Sequence, residues 1–134
     1  MIYGKGFKGN FTKLIKLSKA VPVFPNYHNK RSMLFIDNLG EFIKQAILRE
    51  LDGTFFPQNK ELADTVEIVR WFSQSIKHRV LFSRFLNACV IIGAPFLRQI
   101  PKMFATYYYD PNMSVMDFEY QVVSQEESFV AISS

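Results

Sequence analysis

Cysteine, tryptophan and histidine are scarce in this 134-residue chain, which has one, one and two of them. A single cysteine, Cys89, forbids an internal disulfide and any metal site built from several thiolates. His28 and His78 stand in unrelated segments, and neither has a cysteine or second histidine at ligand spacing. Six glycines and six prolines, beside 49% hydrophobic residues, exclude collagen-like, low-complexity and disordered readings. Long apolar runs are missing too. The longest charge-free stretch is the 13 residues between Arg84 and Arg98, interrupted by Asn87, Gly93 and Pro95. A spanning helix needs roughly 20 apolar residues, so none is expected. Lys5 and Lys8 precede no apolar region or cleavage pattern, so no signal peptide is read. A reducing, cytoplasmic location is the expectation.

Acid is the most telling absence. Residues 1–36 hold seven basic groups and no carboxylate, while residues 37–134 hold nine basic and twelve acidic groups. One end of the chain is thus suited to an anion, whether phosphate, nucleic acid or an acidic surface. The plainer alternative is a solvated basic face that keeps the protein soluble.

What is abundant is aromatic: 14 Phe and 6 Tyr, enough for a sizeable core in residues 1–134 read as one unit. Asn10 is expected to cap a helix with Phe11, Leu14 and Ile15 on one face and Lys13, Lys16 and Lys19 on another, stopped by Pro22. Val21 to Phe24 and Met33 to Ile36 read as extended. Asp37 is expected to cap a helix burying Leu39, Phe42, Ile43, Ala46 and Ile47, ending near Asp52-Gly53. Thr54 to Phe56 reads as a short strand. Asp64-x-x-Glu67 opens a helix with Val66, Val69, Phe72 and Ile76 inward, and Ser124-x-x-Glu127 opens a last one. Val80 to Phe82 is expected extended. Helices are expected over Arg84 to Ile92 and, with Pro101 inside it, Phe96 to Phe104.

Several short motifs are decoys. Gly4-x-Gly6-x-x-Gly9 has the spacing of a dinucleotide-binding loop, but at most three strand residues precede it. The first acid, Asp37, comes 28 residues after Gly9 rather than about 20, so the motif is rejected as a cofactor loop. Lys5-Gly6-Phe7 begins like an RNA-binding signature and then lapses at Lys8. No G-x-S-x-G or H-E-x-x-H occurs. Cys89 reads as a buried small hydrophobe, and Tyr107 to Tyr109 as a packed, half-buried cluster. Phe85 to Leu97, bracketed by Arg84 and Arg98, has too thin a polar face for an interfacial helix, so no membrane partner is expected.

At Arg31 a family resemblance emerges. Met1-Ile2-Tyr3-Gly4, Gly9-Asn10, Val21-Pro22-Val23-Phe24 and Arg31 through Leu39 follow one another as in the NAD-dependent epimerase/dehydratase family, the extended short-chain dehydrogenases/reductases. Gly53 to Asn59 followed by Thr65 to Val69 resembles that family's late strand and the helix after it. The family's Tyr-x-x-x-Lys has no counterpart here, since Arg31 follows Tyr27 and Ser124 follows Tyr120 at that spacing.

The resemblance implies an α/β fold: the C-terminal part of a doubly wound Rossmann-type sheet plus a helix-rich substrate-binding lobe, with the NAD-binding part absent. It implies a role in binding a nucleotide sugar of the UDP-hexose class, as in an epimerase or dehydratase such as UDP-glucose 4-epimerase. The intact relative would use NAD; this chain alone is expected to bind none, to be inactive and to be able to associate with copies of itself. Asn10 resembles the asparagine that reaches the diphosphate, Val23 and Phe24 the segment along the base, and Arg31 the arginine on phosphate or ribose. A salt bridge from Arg31 to the Asp37 helix is the structural alternative. Ser32, Phe35 and Asn38 depart from the Asp, His and Asp that the family often carries there. The rival reading is a non-enzymatic anion- or nucleic-acid-binding module that uses the basic first 36 residues.

Overall fold

The computed structural model describes residues 1–93, 95–96 and 99–133. In chain order the elements are β1 (Ile2–Tyr3), α1 (Asn10–Ala20), β2 (Val23–Pro25), β3 (Leu34–Phe35), α2 (Ile36–Leu48), α3 (Thr65–Ser75), β4 (Leu81–Ser83), α4 (Leu86–Gly93), α5 (Gln99–Phe104), a 3-10 turn (Pro111–Ser114) and α6 (Gln125–Ser133). The fold is mixed α/β. Among the described residues the strands form two separate parallel pairs, β1 with β3 and β2 with β4. The chain divides into two compact units, residues 1–7, 32–62 and 108–134 in one and residues 8–31 and 63–107 in the other.

The first unit carries four basic and ten acidic groups, a net of −6. Its apolar residues Met33, Leu34, Phe35, Phe42, Tyr120 and Phe129 are buried. Through its middle runs a chain of hydrogen bonds with a definite direction. The Ser128 hydroxyl donates to the Gln125 carbonyl at 2.6 Å, so the Tyr3 hydroxyl, 2.7 Å away, must donate to Ser128 Oγ. Tyr3 in turn accepts from Asn59 Nδ2 at 2.8 Å, and Asn59 Oδ1 accepts from the Phe35 N–H at 3.0 Å and Asn38 Nδ2 at 3.3 Å. Asn38 closes the chain by pairing with both backbone groups of Val123, at 2.9 Å each. Burial holds the Tyr3 hydroxyl above its ordinary pKa, an effect its hydrogen bonds only partly offset.

This network reorients α2. Asn38 and Phe42, one turn apart, take the buried face, and Leu39 and Ala46 are half-buried. Ile43 and Ile47, expected inside, are 48% and 71% exposed. The helix also starts one residue before Asp37, with Phe35 at the cap position. Thr54 to Phe56 forms no strand; Phe55 and Phe56 pack by their rings, on Phe42 and Tyr109. Ser124 and Glu127 make the expected reciprocal box, Glu127 Oε2 accepting from the Ser124 N–H at 2.8 Å and Ser124 Oγ from the Glu127 N–H at 3.3 Å.

The second unit carries twelve basic groups and two acidic ones, a net of +10. Helix α1 packs on α3, with Phe11 edge-on to Phe72 at 5.9 Å. Val66, Val69 and Phe72 face inward as expected, joined by Ile68, while Ile76 falls past the helix end and is 45% exposed. Asp64 caps α3 by accepting from the Val66 N–H at 2.7 Å. Pro101 lies in the first turn of α5, where its missing N–H costs least. Cys89, expected buried, is exposed. Of the tyrosine run, Tyr107 is 71% exposed, while Tyr108 and Tyr109, which belong to the first unit, are half-buried at 51% and 52% exposure, with Tyr109 against Phe56.

Candidate functional site

Asn10, Val23, Phe24 and Arg31 all fall in the basic unit. Asn10 does not cap α1. Gly9 holds that position in an extended conformation, and Asn10 is the first helical residue, exposed to solvent. Glycine is an acceptable cap residue, and its choice leaves the Asn10 amide at the surface.

Val23 and Phe24 differ in what they can offer. Leu81 N–H donates to the Pro22 carbonyl at 2.9 Å, and Asn26 N–H to the Ser83 carbonyl at 3.1 Å. In the evenly spaced parallel ladder this register turns the Phe24 backbone toward β4 and the Val23 backbone to the opposite edge. The Phe24 ring is 2% exposed and packs on Phe104 at 5.6 Å and Phe82 at 6.3 Å. Phe24 is therefore a core residue, whereas Val23 is 40% exposed and presents a backbone edge.

Arg31 is pinned on both sides by backbone, bridging to Ala63 through a reciprocal pair of 2.9 Å bonds and to Tyr107 by strand-like pairing. Its Nη2 donates to the Lys102 carbonyl at 2.6 Å. A carbonyl in the last turn of α5 is the negative end of that helix, a fitting partner for a guanidinium. This replaces the expected alternative of an ion pair with the Asp37 helix. Partial burial lowers the Arg31 pKa from its ordinary value, the Tyr107 hydroxyl opposing the effect.

Two neighbours of Arg31 have distant partners that no local pattern announces. Asn29 is buried, donating to the carbonyls of Met103 and Ala105 at 3.2 Å and accepting from the Thr65 N–H at 2.9 Å. His28 Nδ1 lies 2.7 Å from Asp64 Oδ2, so one carboxylate caps α3 and holds the histidine. A separation of 36 positions leaves no local signal of that pairing.

The departures from the resembled family each have a partner in the acidic unit. Ser32 Oγ accepts from the Tyr109 N–H at 2.8 Å, and the Phe35 ring packs on Tyr3 at 5.5 Å. Asn38 must donate to two oxygens and accept from one N–H, which an aspartate cannot do. The same unit has an open cavity of about 430 Å³ lined by Glu61, Glu119, Glu127, Lys60 and Gln121 among others. Its carboxylates make it unsuited to a diphosphate.

In the glycine loop, a Cβ on Gly4 would lie 2.6 Å from Ile36 Cγ2, so that glycine serves close packing. Comparison with known proteins finds no matching family model, no matching curated protein and no matching solved structure.

Proposed function

We propose that the chain is the C-terminal, substrate-binding part of a cytoplasmic NAD-dependent nucleotide-sugar epimerase or dehydratase, taking a UDP-hexose in its basic unit. The observation that carries this reading is the placement of Asn10, Val23 and Arg31 in a unit of net charge +10. Such a unit favours a diphosphate, and Arg31 offers a planar fork to it. Among the described residues both named strand pairs are parallel, which supports a place in a larger doubly wound sheet, because parallel sheets normally lie covered on both faces. The exposed Ile43, Ile47 and Leu48 on α2 are surface that such a sheet, or another copy, would cover. Hydride chemistry would belong to residues this chain lacks, so purified chain should neither bind NAD saturably nor turn over a UDP-hexose.

Titration with UDP-glucose, UDP-galactose and free uridine tests the reading. Arg31→Ala should weaken UDP-sugar binding by about 1.5–3 kcal/mol, with the unfolding midpoint little changed. Unchanged binding with a lower midpoint would reduce Arg31 to the partner of Lys102 and sink its substrate role. The charge of the same unit also favours a second reading, a non-enzymatic anion- or nucleic-acid-binding module. A salt-steep affinity for any oligonucleotide, with no preference for UDP-sugars, would select it.

A further inference from the structure

The segment from Lys77 to Lys102 contains five basic residues and no acid. It also holds the two most exposed phenylalanines among the described residues. Phe85 is 84% exposed, Phe96 81%, Leu81 70%, Ile92 68% and Ile91 63%. Scattered apolar residues are ordinary on a surface, but five such exposed side chains fall within 16 residues here, around β4 and α4. Helix α4 cannot hide them, because it is apolar on nearly every side and buries only Val90.

The sequence argues against an interfacial helix here, since α4 has almost no polar face of its own. The structure answers that objection by supplying the polar partners from flanking chain. Arg79 precedes β4, Arg84 lies between β4 and α4, and Lys102 is in α5; all three are exposed. Leu97 and Arg98, which close the apolar stretch in sequence, lie outside the described residues.

We propose that this face docks on an anionic lipid surface, with Phe85, Phe96 and the isoleucines of α4 entering the headgroup boundary. Arg79, Arg84 and Lys102 meet lipid phosphates around them. Charge complementarity selects the occupant: an apolar patch on a unit of net +10 matches a surface that is apolar just below an anionic layer. A nucleic acid would use the cations and leave the aliphatic side chains without a partner. A second copy would bring like charges together. The contact is peripheral; among the described residues no helix is long and apolar enough to cross a membrane. This inference stands apart from the nucleotide-sugar reading.

Co-sedimentation of the full chain with phosphatidylglycerol vesicles, against neutral phosphatidylcholine vesicles, tests it. The chain should sediment with the anionic vesicles and release at high salt. Phe85→Ser together with Phe96→Ser should lower partitioning at least tenfold, as expected for losing inserted aromatic side chains. Each of Arg79→Gln and Arg84→Gln should lower it about fivefold. These side chains are exposed, so far-UV circular dichroism of the variants should match the parent. Ile43→Ser with Ile47→Ser, equally apolar changes on the acidic unit, should leave partitioning unchanged. Absence of anionic-vesicle binding overturns the proposal. So does binding that survives loss of both phenylalanines, or a dimer in sedimentation velocity that the phenylalanine changes dissolve.

Discussion

The unit of residues 1–7, 32–62 and 108–134 carries −6 and joins its buried polar side chains to one another, from Asn38 through Asn59 and Tyr3 to Ser128. The unit of residues 8–31 and 63–107 carries +10, and its buried polar side chains go to backbone. Ser18 donates to Ile15 O, Asn29 to Met103 O, Thr65 to Met103 O and Ser73 to Arg70 O. The contrast bears on tolerance to change. A bond to a carbonyl needs only a donor at one position, whereas a directed chain of side chains fixes the identity of each member. The basic unit accordingly bears the surface features that a ligand or lipid could use, and the acidic unit is specified from within.

The largest expected effects come one from each unit. Phe24→Ala removes a ring packed against two others and should cost about 3–5 kcal/mol. Trp71, the only tryptophan, lies in α3 of the same unit, so its fluorescence midpoint in urea should fall. Asn38→Asp should cost the acidic unit a similar ~3–5 kcal/mol at neutral pH, because a carboxylate would face the Val123 carbonyl and Asn59 Oδ1. Its folded pKa would rise above the unfolded value, so the loss should be full at neutral pH and relieved as pH falls. Amide exchange at Val123 would follow it. If Asn38→Asp moves the Trp71 midpoint as far as Phe24→Ala does, the two units unfold as one and the contrast is structural only.

A smaller effect is expected from Gly4→Ala, where the added methyl meets Ile36 at 2.6 Å. Overpacking of this kind costs about 1–3 kcal/mol, read as a lower midpoint with NAD and UDP-sugar behaviour untouched. The smallest should come from Glu127→Gln. Bonds from the Ser124 hydroxyl and N–H hold the Glu127 carboxyl below its ordinary pKa. That support of α6 is present above the usual glutamate range and lost as pH falls through the lowered value. Acid-dependent fraying of α6, seen by amide exchange, should be weaker in the glutamine variant.

Local chemistry was legible in the sequence. The Ser124–Glu127 box, the Asp64 cap and the inward Val66, Val69 and Phe72 depend on residues two to eight positions apart, and the structure has each of them. The extended segments at Val23, Leu34 and Leu81 were also placed, though their pairing was not. Of the candidate site residues, Val23 is exposed and Arg31 half-buried, while Phe24 is core and Asn10 is not a cap. Arg31 found a carbonyl 71 residues away, which no periodicity announces.

By itself, the sequence determined the Asp64 cap, the Ser124–Glu127 box, the mixed α/β class and the acid-free first 36 residues, because caps, 3.6-residue faces and composition act over short separations. Tertiary structure alone decided that residues 63–107 join that basic start while the acidic stretches gather elsewhere. It also turned Ile43 and Ile47 outward in favour of Asn38, and left Phe85 and Phe96 in solvent. Those outcomes rest on partners up to 125 residues apart, such as Tyr3 and Ser128. Whether an apolar side chain is buried depends on what the rest of the chain brings to it, and that is absent from any local window.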